Sequence, residues 1–185
     1  MTLAAAACGP GSATPTPFDT EVPIGPTPWP SGTTGQYGLH IDPSLLGKLP
    51  HTVGARVLVE DAGDEAAALD DADLAKNFDG YAAASIGQLG DTDWLTLVIG
   101  KVKPSVTFTD FYQAWVGQYA TGACSQASGV TSSDQVDIGD WHVDRAFCGG
   151  GFLVYSLSLG NGVLLSMFGS GPADLSHKLI EAIYF

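Results

Sequence analysis

Positive charge is the scarcest property of this sequence. Lys and Arg number 7 against 20 Asp and Glu in 185 residues, a formal net charge of −13. Phosphate backbones are held by basic surfaces, so this deficit argues against a nucleic-acid partner. It equally disfavours adsorption to anionic lipid head groups. Cysteine is nearly absent, at three residues. No apolar run approaches the roughly 18 residues of a membrane-spanning helix. Short catalytic signatures are missing as well. Ser156, Ser158 and Ser166 stand in no Gly-x-Ser-x-Gly elbow, and His40, His51, His142 and His177 have no metalloprotease or zinc spacing. Gly169-Ser170-Gly171 lies where a phosphate loop would, but the third glycine is absent and Pro172 removes an amide. In the acidic run from Glu60 to Asp79 the spacing Asp70-Asp71-Ala72-Asp73 does not fit a calcium loop, which needs glycine at its sixth position and glutamate at its twelfth, and the run reads as a solvated helix face.

What is present is enough apolar material for one domain, with 45% hydrophobic residues. Val130 to Gly169 carries four strand-like runs divided by Gly139-Asp140, Gly149-Gly150-Gly151 and Gly160-Asn161-Gly162. Glycine and Asn accept the positive φ of tight turns, so this stretch predicts an antiparallel meander. Asp93–Val102 is apolar on both faces and predicts a central, covered strand stopped by Pro104. Val57–Val59 is a shorter candidate. Asp42-Pro43 predicts a single turn over Ser44–Lys48. Gly63–Ile86 reads as a helix on the spacing of Leu74, Phe78 and Tyr81, with Gly80 as an interruption. Asp110 and Gln113 suggest a capping box for a helix ending at Gly122, with Phe111, Trp115 and Tyr119 as its apolar stripe. A last helix opens at Gly171-Pro172, with a stripe of Leu175, Leu179, Ala182 and Ile183. The elements add up to an α+β, two-layer domain: a mainly antiparallel sheet whose C-terminal four-strand meander is covered by helices. By analogy of element order, ferredoxin-like or Mog1/PsbP-like arrangements fit.

The chain divides into a segment 1–8, a tether 9–36 and a folded domain 37–185. Leu3 to Cys8 reads Leu-Ala-Ala-Ala-Ala-Cys, and the tether holds seven of the eleven prolines and no Lys or Arg. Such a Pro-rich linker is semi-extended and builds no core. A cysteine after small residues, ahead of a Gly/Ser/Pro/Thr-rich tether, resembles the end of a bacterial lipoprotein signal peptide, in truncated form. Ala5 stands where that pattern usually has Leu, and no basic stretch precedes the apolar residues. The resemblance implies that Cys8 is the lipid-modified residue, that the protein's partner is a membrane reached through that anchor, and that the domain lies outside the cytoplasm.

With Cys8 lipidated, Cys124 and Cys148 remain as an even pair, expected to form a structural disulfide in an oxidising compartment. The best constellation for chemistry is Asp134, Asp137, Asp140, His142 and Asp144, of which Asp140, His142 and Asp144 alternate along one strand and therefore share a face. Carboxylates and an imidazole together can hold a divalent metal. The opposite face carries Trp141, Val143 and Phe147, and that alternation is also what a half-solvated antiparallel strand displays. The expectation is a solvent face with no metal, no cofactor and no catalytic residue. The sequence therefore reads as a lipid-anchored extracytoplasmic binding or accessory domain of unspecified ligand. The alternatives are a small metal-dependent or hydrolytic enzyme using the Asp140/His142/Asp144 face, and a structural envelope protein. The gap between the sheet and the helix containing Trp115 is the place that separates these readings.

Overall fold

The structure, a computed structural model, describes residues 32–183. The expectation at Cys8, and most of the tether, lie outside the described residues. The tether's last residues belong to the fold: Gly35 N–H donates to the Leu39 carbonyl and Ile41 N–H to the Thr33 carbonyl, each at 2.8 Å. Ordered backbone pairing therefore begins ahead of Tyr37, the boundary expected from composition.

Short strands open the chain: β1 (His40–Ile41), the ribbon of β2 (Thr52–Val53) and β3 (Arg56–Val57), and β4 (Val59–Glu60). Between β1 and β2, Asp42 caps a 3-10 turn over Pro43–Lys48, its carboxylate accepting the Ser44 N–H at 3.1 Å. Helix α1 (Ala62–Leu69) and helix α2 (Ala72–Asn77) follow, then β5 (Phe78–Ile86) and β6 (Trp94–Val102). The expected single helix over Gly63–Ile86 is thus two short helices and a strand. Asp71 breaks it by accepting the Asp73 and Leu74 N–H groups, so its carboxylate starts a second helix instead of letting the first continue. Ala82, Ala83 and Ala84 favour helix intrinsically, but pairing of Phe78–Ile86 with β6 overrides that preference. Small side chains suit a strand roofed on both faces, and all three alanines are fully buried.

After β6 come α3 (Phe108–Cys124), β7 (Val130–Ile138), β8 (Trp141–Cys148), β9 (Leu153–Gly160), β10 (Val163–Ser170) and α4 (Leu175–Glu181). The four-strand meander falls where the glycine turns placed it. The eight-stranded sheet runs β1-β5-β6-β10-β9-β8-β7, with β4 also paired to β5. Only the β1–β5 pair is parallel among the described ladders. The α+β class with a largely antiparallel sheet holds. Helices cover both faces. The 3-10 turn and α4 bring Leu45, Leu175, Leu179 and Ile180 onto Leu97, Leu157 and Leu165. On the other face α1, α2 and α3 cover Phe78, Tyr81, Ala83 and Val98. Asp174 anchors α4 by accepting the His177 N–H and the Tyr155 hydroxyl (3.1 and 2.9 Å). Burial, then the Asp174 charge, pushes the Tyr155 phenol up to about 12, so it stays a donor.

Helix α3 begins at Phe108 after Thr107, two residues before the expected cap. Asp110 and Gln113 therefore sit inside the helix, with Asp110 in the first turn where its charge favours the dipole. The helix runs past Gly122 to Cys124. The expected stripe faces the sheet: the rings of Phe111 and Trp115 meet Phe78 at 5.3 and 5.1 Å, and Tyr119 stacks on Trp115 at 5.7 Å. Of its residues only Ala120 and Cys124 are fully buried. The C-terminal end is fixed covalently by the expected Cys124–Cys148 disulfide, with Cα atoms 5.2 Å apart.

Candidate functional site: a cleft beneath the long helix

Strand β8 alternates as the sequence requires, with Val143 packed among Leu157 and Tyr155 on one face, and Ala146 and Cys148 packed with Val154 and Cys124 on the other. His142 and Asp144 share parity with Ala146 and Cys148, and that parity points to α3. The face expected to be solvated is therefore graded. His142 is exposed, Asp144 is half-buried, and Ala146 and Cys148 are buried as the helix descends onto the strand end.

Where α3 rises off the strands it leaves a cleft of about 500 Å3 between Val116, Gly117 and Ala120 above and Ser133, Asp144 and Ser156 below. A second space of about 440 Å3 continues it toward Tyr112, His142 and Ser158. The two share Gln135 and Asp144. Spaces of this size between a helix and a sheet are where small ligands bind.

A chain of polar groups runs along the cleft floor. Asp144 accepts from Gln135 Nε2 at 2.7 Å through Oδ1, and from the Tyr112 hydroxyl at 2.8 Å through Oδ2. The same hydroxyl lies 3.1 Å from the Ser156 carbonyl. Burial first, then the hydrogen bond to Asp144 and its charge, hold the Tyr112 phenol far above its ordinary range, so it never ionises in use. Deeper in, Trp115 Nε1 donates to Ser166 Oγ at 2.9 Å, and Ser166 Oγ lies 2.8 Å from Ser156 Oγ. Both serines are buried, at 0% and 1% exposure. Two hydroxyls that bond to each other use one of their two hydrogens, so one O–H remains available, and Ser156 lines the cleft.

Gly117 adds an independent sign. A side chain there would meet no atom within 4 Å. Glycine in a helix interior costs about 1 kcal/mol against alanine, and no packing contact requires it at this position. Its effect is to widen the cleft.

Of the three residues singled out from the sequence, His142 and Asp144 border the second space and Asp140 does not. Asp140 lies in the β7–β8 turn, His142 pairs across the strands with Asp137, and Asp144 is engaged by Gln135 and Tyr112. Asp134 forms a two-point pair with Arg145 at 2.9 and 2.6 Å, which lowers the Asp134 carboxyl below its usual range. Among the described residues no three His, Cys, Asp or Glu side chains converge as a metal set. Ser156 and Ser166 bond to each other and to an indole, not to a base, so nothing activates either as a nucleophile. Tyr112, Gln135 and Gly117 go unmarked in the sequence reading, and Ser156 and Ser166 enter it only as serines outside a nucleophile elbow. The available signal was a pair of serines inside otherwise apolar strands. No family model matches the chain, and comparison with curated proteins and with solved structures finds no significant match.

Proposed function

We propose that this chain is a lipid-anchored, extracytoplasmic binding domain that holds a small ligand in the cleft beneath α3 and performs no chemistry on it. The observation that carries the reading is the polar chain that runs from exposed Gln135 through half-buried Asp144 and Tyr112, beside the buried Ser156–Ser166 pair held by Trp115, facing an open space next to a helix glycine. Apolar walls with a few oriented polar groups are the usual composition of a binding pocket. Asp144 and Ser156 offer an acceptor and a donor side by side, which suits a hydroxylated, uncharged or cationic ligand. The location rests on the lipoprotein-like Leu3–Cys8 segment, the proline-rich tether and the disulfide, since disulfides persist outside the reducing cytoplasm. The enzyme alternative on Asp140, His142 and Asp144 gains no support from a set in which Asp140 lies apart in a turn and His142 and Asp144 bond to different partners.

One preparation tests both parts. Expressed from its full reading frame in a bacterial host, the protein is expected in the detergent phase, and Cys8→Ala in the aqueous phase. In 15N NMR screening with polar fragments, ligands that enter the cleft shift the Trp115 indole N–H signal. Gly117→Leu fills the space, leaves the fold intact and removes those shifts. Equal partitioning of wild type and Cys8→Ala ends the anchoring claim. Fragment shifts that persist unchanged in Gly117→Leu end the cleft claim.

A further inference from the structure

A different space opens on the opposite flank of α3, between that helix and α1. Its floor is the middle of the sheet, where Thr96 of β6 pairs with Phe168 of β10. Thr96 has strand neighbours on both sides, yet it stays partly exposed on the helical face. A central-strand residue reaches solvent only where the layer above it is parted, so α1 and α3 stand apart over Thr96. The slot has two adjoining parts of about 410 and 490 Å3, both bounded by Asp64, Thr96, Gly122 and Phe168.

The walls are aromatic. Trp94, Phe152 and Phe168 form a ring cluster with centroids 5.0 to 5.9 Å apart. Tyr81 and Tyr119 line the end nearer α2. On the α3 side the wall is set back at Gly122, where a side chain would meet nothing within 4 Å. Glycine again stands where alanine fits and where helix propensity disfavours it.

Charge is supplied at one point. Asp64, on α1, bounds both parts of the slot, and its carboxylate makes no ion pair with any described Lys or Arg. The other charged groups around it are acidic: Asp61, which caps α1, and Asp71, which caps α2. Asp64 is itself exposed at the mouth of the slot; loss of water on its inner side, and then the nearby Asp61, raise its carboxyl above its ordinary value. Tyr81 and Tyr119 line the same part of the slot as Asp64.

We propose that this slot binds an organic cation, with its apolar body against Trp94, Phe152 and Phe168 and its ammonium group between Asp64 and the Tyr81 and Tyr119 rings. Aromatic walls attract a cation through the ring quadrupole, and a quaternary ammonium makes the best use of them because its methyl groups need no hydrogen bonds. An anion is disfavoured by Asp64, Asp71 and the net charge of −13. A bare metal ion is disfavoured by walls with too few oxygen donors to replace its water.

The probe is benzyltrimethylammonium, with benzenesulfonate as the anion of similar shape. Calorimetry on the intact protein is expected to give one-to-one binding of the cation, about tenfold or more tighter than the sulfonate. Asp64→Asn weakens the cation about tenfold and narrows that preference. Gly122→Leu abolishes binding while circular dichroism stays unchanged, and Gly117→Leu, on the other flank, leaves it intact. Equal affinity for the two probes, or full binding by Gly122→Leu, overturns the proposal. Loss in Gly117→Leu instead assigns the cation to the cleft and likewise overturns it.

Discussion

Glu65 is the residue at which the fold depends most on protonation. Strand β5 is paired by β1 at Gly80 and Tyr81 and by β4 at Ala84 and Ser85, leaving a gap between the two short partners. There the Asp61 N–H donates to the Ala83 carbonyl, and the Ala83 N–H donates to Glu65 Oε1 at 3.2 Å. The carboxyl thus stands in for a missing strand residue. It is fully buried; its second oxygen and Glu60 Oε1 accept no N–H, and the two carboxyls share a proton while Glu65 is protonated. Burial is the main cause that pushes the Glu65 carboxyl up to about 7; Glu60 and Asp61 add to this, and the Ala83 N–H works against it. A raised carboxyl favours the folded state while it is protonated. Its contribution is full below the unfolded value of 4.5 and is lost as the pH climbs toward about 7. Urea unfolding is expected to show on the order of 2 kcal/mol less stability at pH 7.5 than at pH 4.5 from this group. Glu65→Gln, which keeps an acceptor for Ala83, flattens that slope. An unchanged slope in the variant would refute the assignment.

At the scale of elements, α3 is the piece most exposed to perturbation. It contributes a wall to both spaces, yet only Ala120 and Cys124 along it are fully buried. Its disulfide spans a sequence separation of 24, worth about 3 kcal/mol by chain entropy. In the double variant Cys124→Ser/Cys148→Ser, hydrogen exchange is expected to accelerate along α3 while β6 and β10 stay protected. Uniform acceleration across sheet and helix would show that the bridge stabilises the whole domain and does not pin this helix. The bridge was legible from cysteine parity and the positions of the two residues at element ends. The meander was legible because Gly139, Gly150 and Gly160 take the positive φ their turns need. The strand β5 was not, since Ala82–Ala84 carries helix propensity and only its neighbours make it a strand. The start of α3 was misplaced because Asp110 and Gln113 mimic a cap that Thr107 pre-empts. The gap beneath the Trp115 helix is legible as a place to look, but the sequence does not say whether it is packed or open. Periodicity says which face of α3 is apolar, whereas a cleft depends on how far the helix stands off the sheet. Gly117 and Gly122 were the trace that this distance left in the sequence.

For the molecule as a whole, the two sides of the sheet end differently. On one side the β1 and β4 strands are two residues each, and Glu65 closes the gap between them. On the other, β7 is a nine-residue strand at the end of the strand order. A row of free amide and carbonyl groups on an edge strand is a template for another chain. Asp134 and Asp137 interrupt that row with charge, and Asp134 keeps its charge to lower pH because Arg145 holds it. The double substitution Asp134→Ser/Asp137→Ser is therefore expected to self-associate at pH 7, as read by sedimentation velocity, where the parent chain does not. A variant that sediments like the parent would assign the guarding role to the net charge as a whole. If the two aspartates are the guard, the acidity of this sequence serves the protein's own company. Two copies would otherwise join β7 to β7 as a closed pair, and the carboxylates of β7 hold them apart.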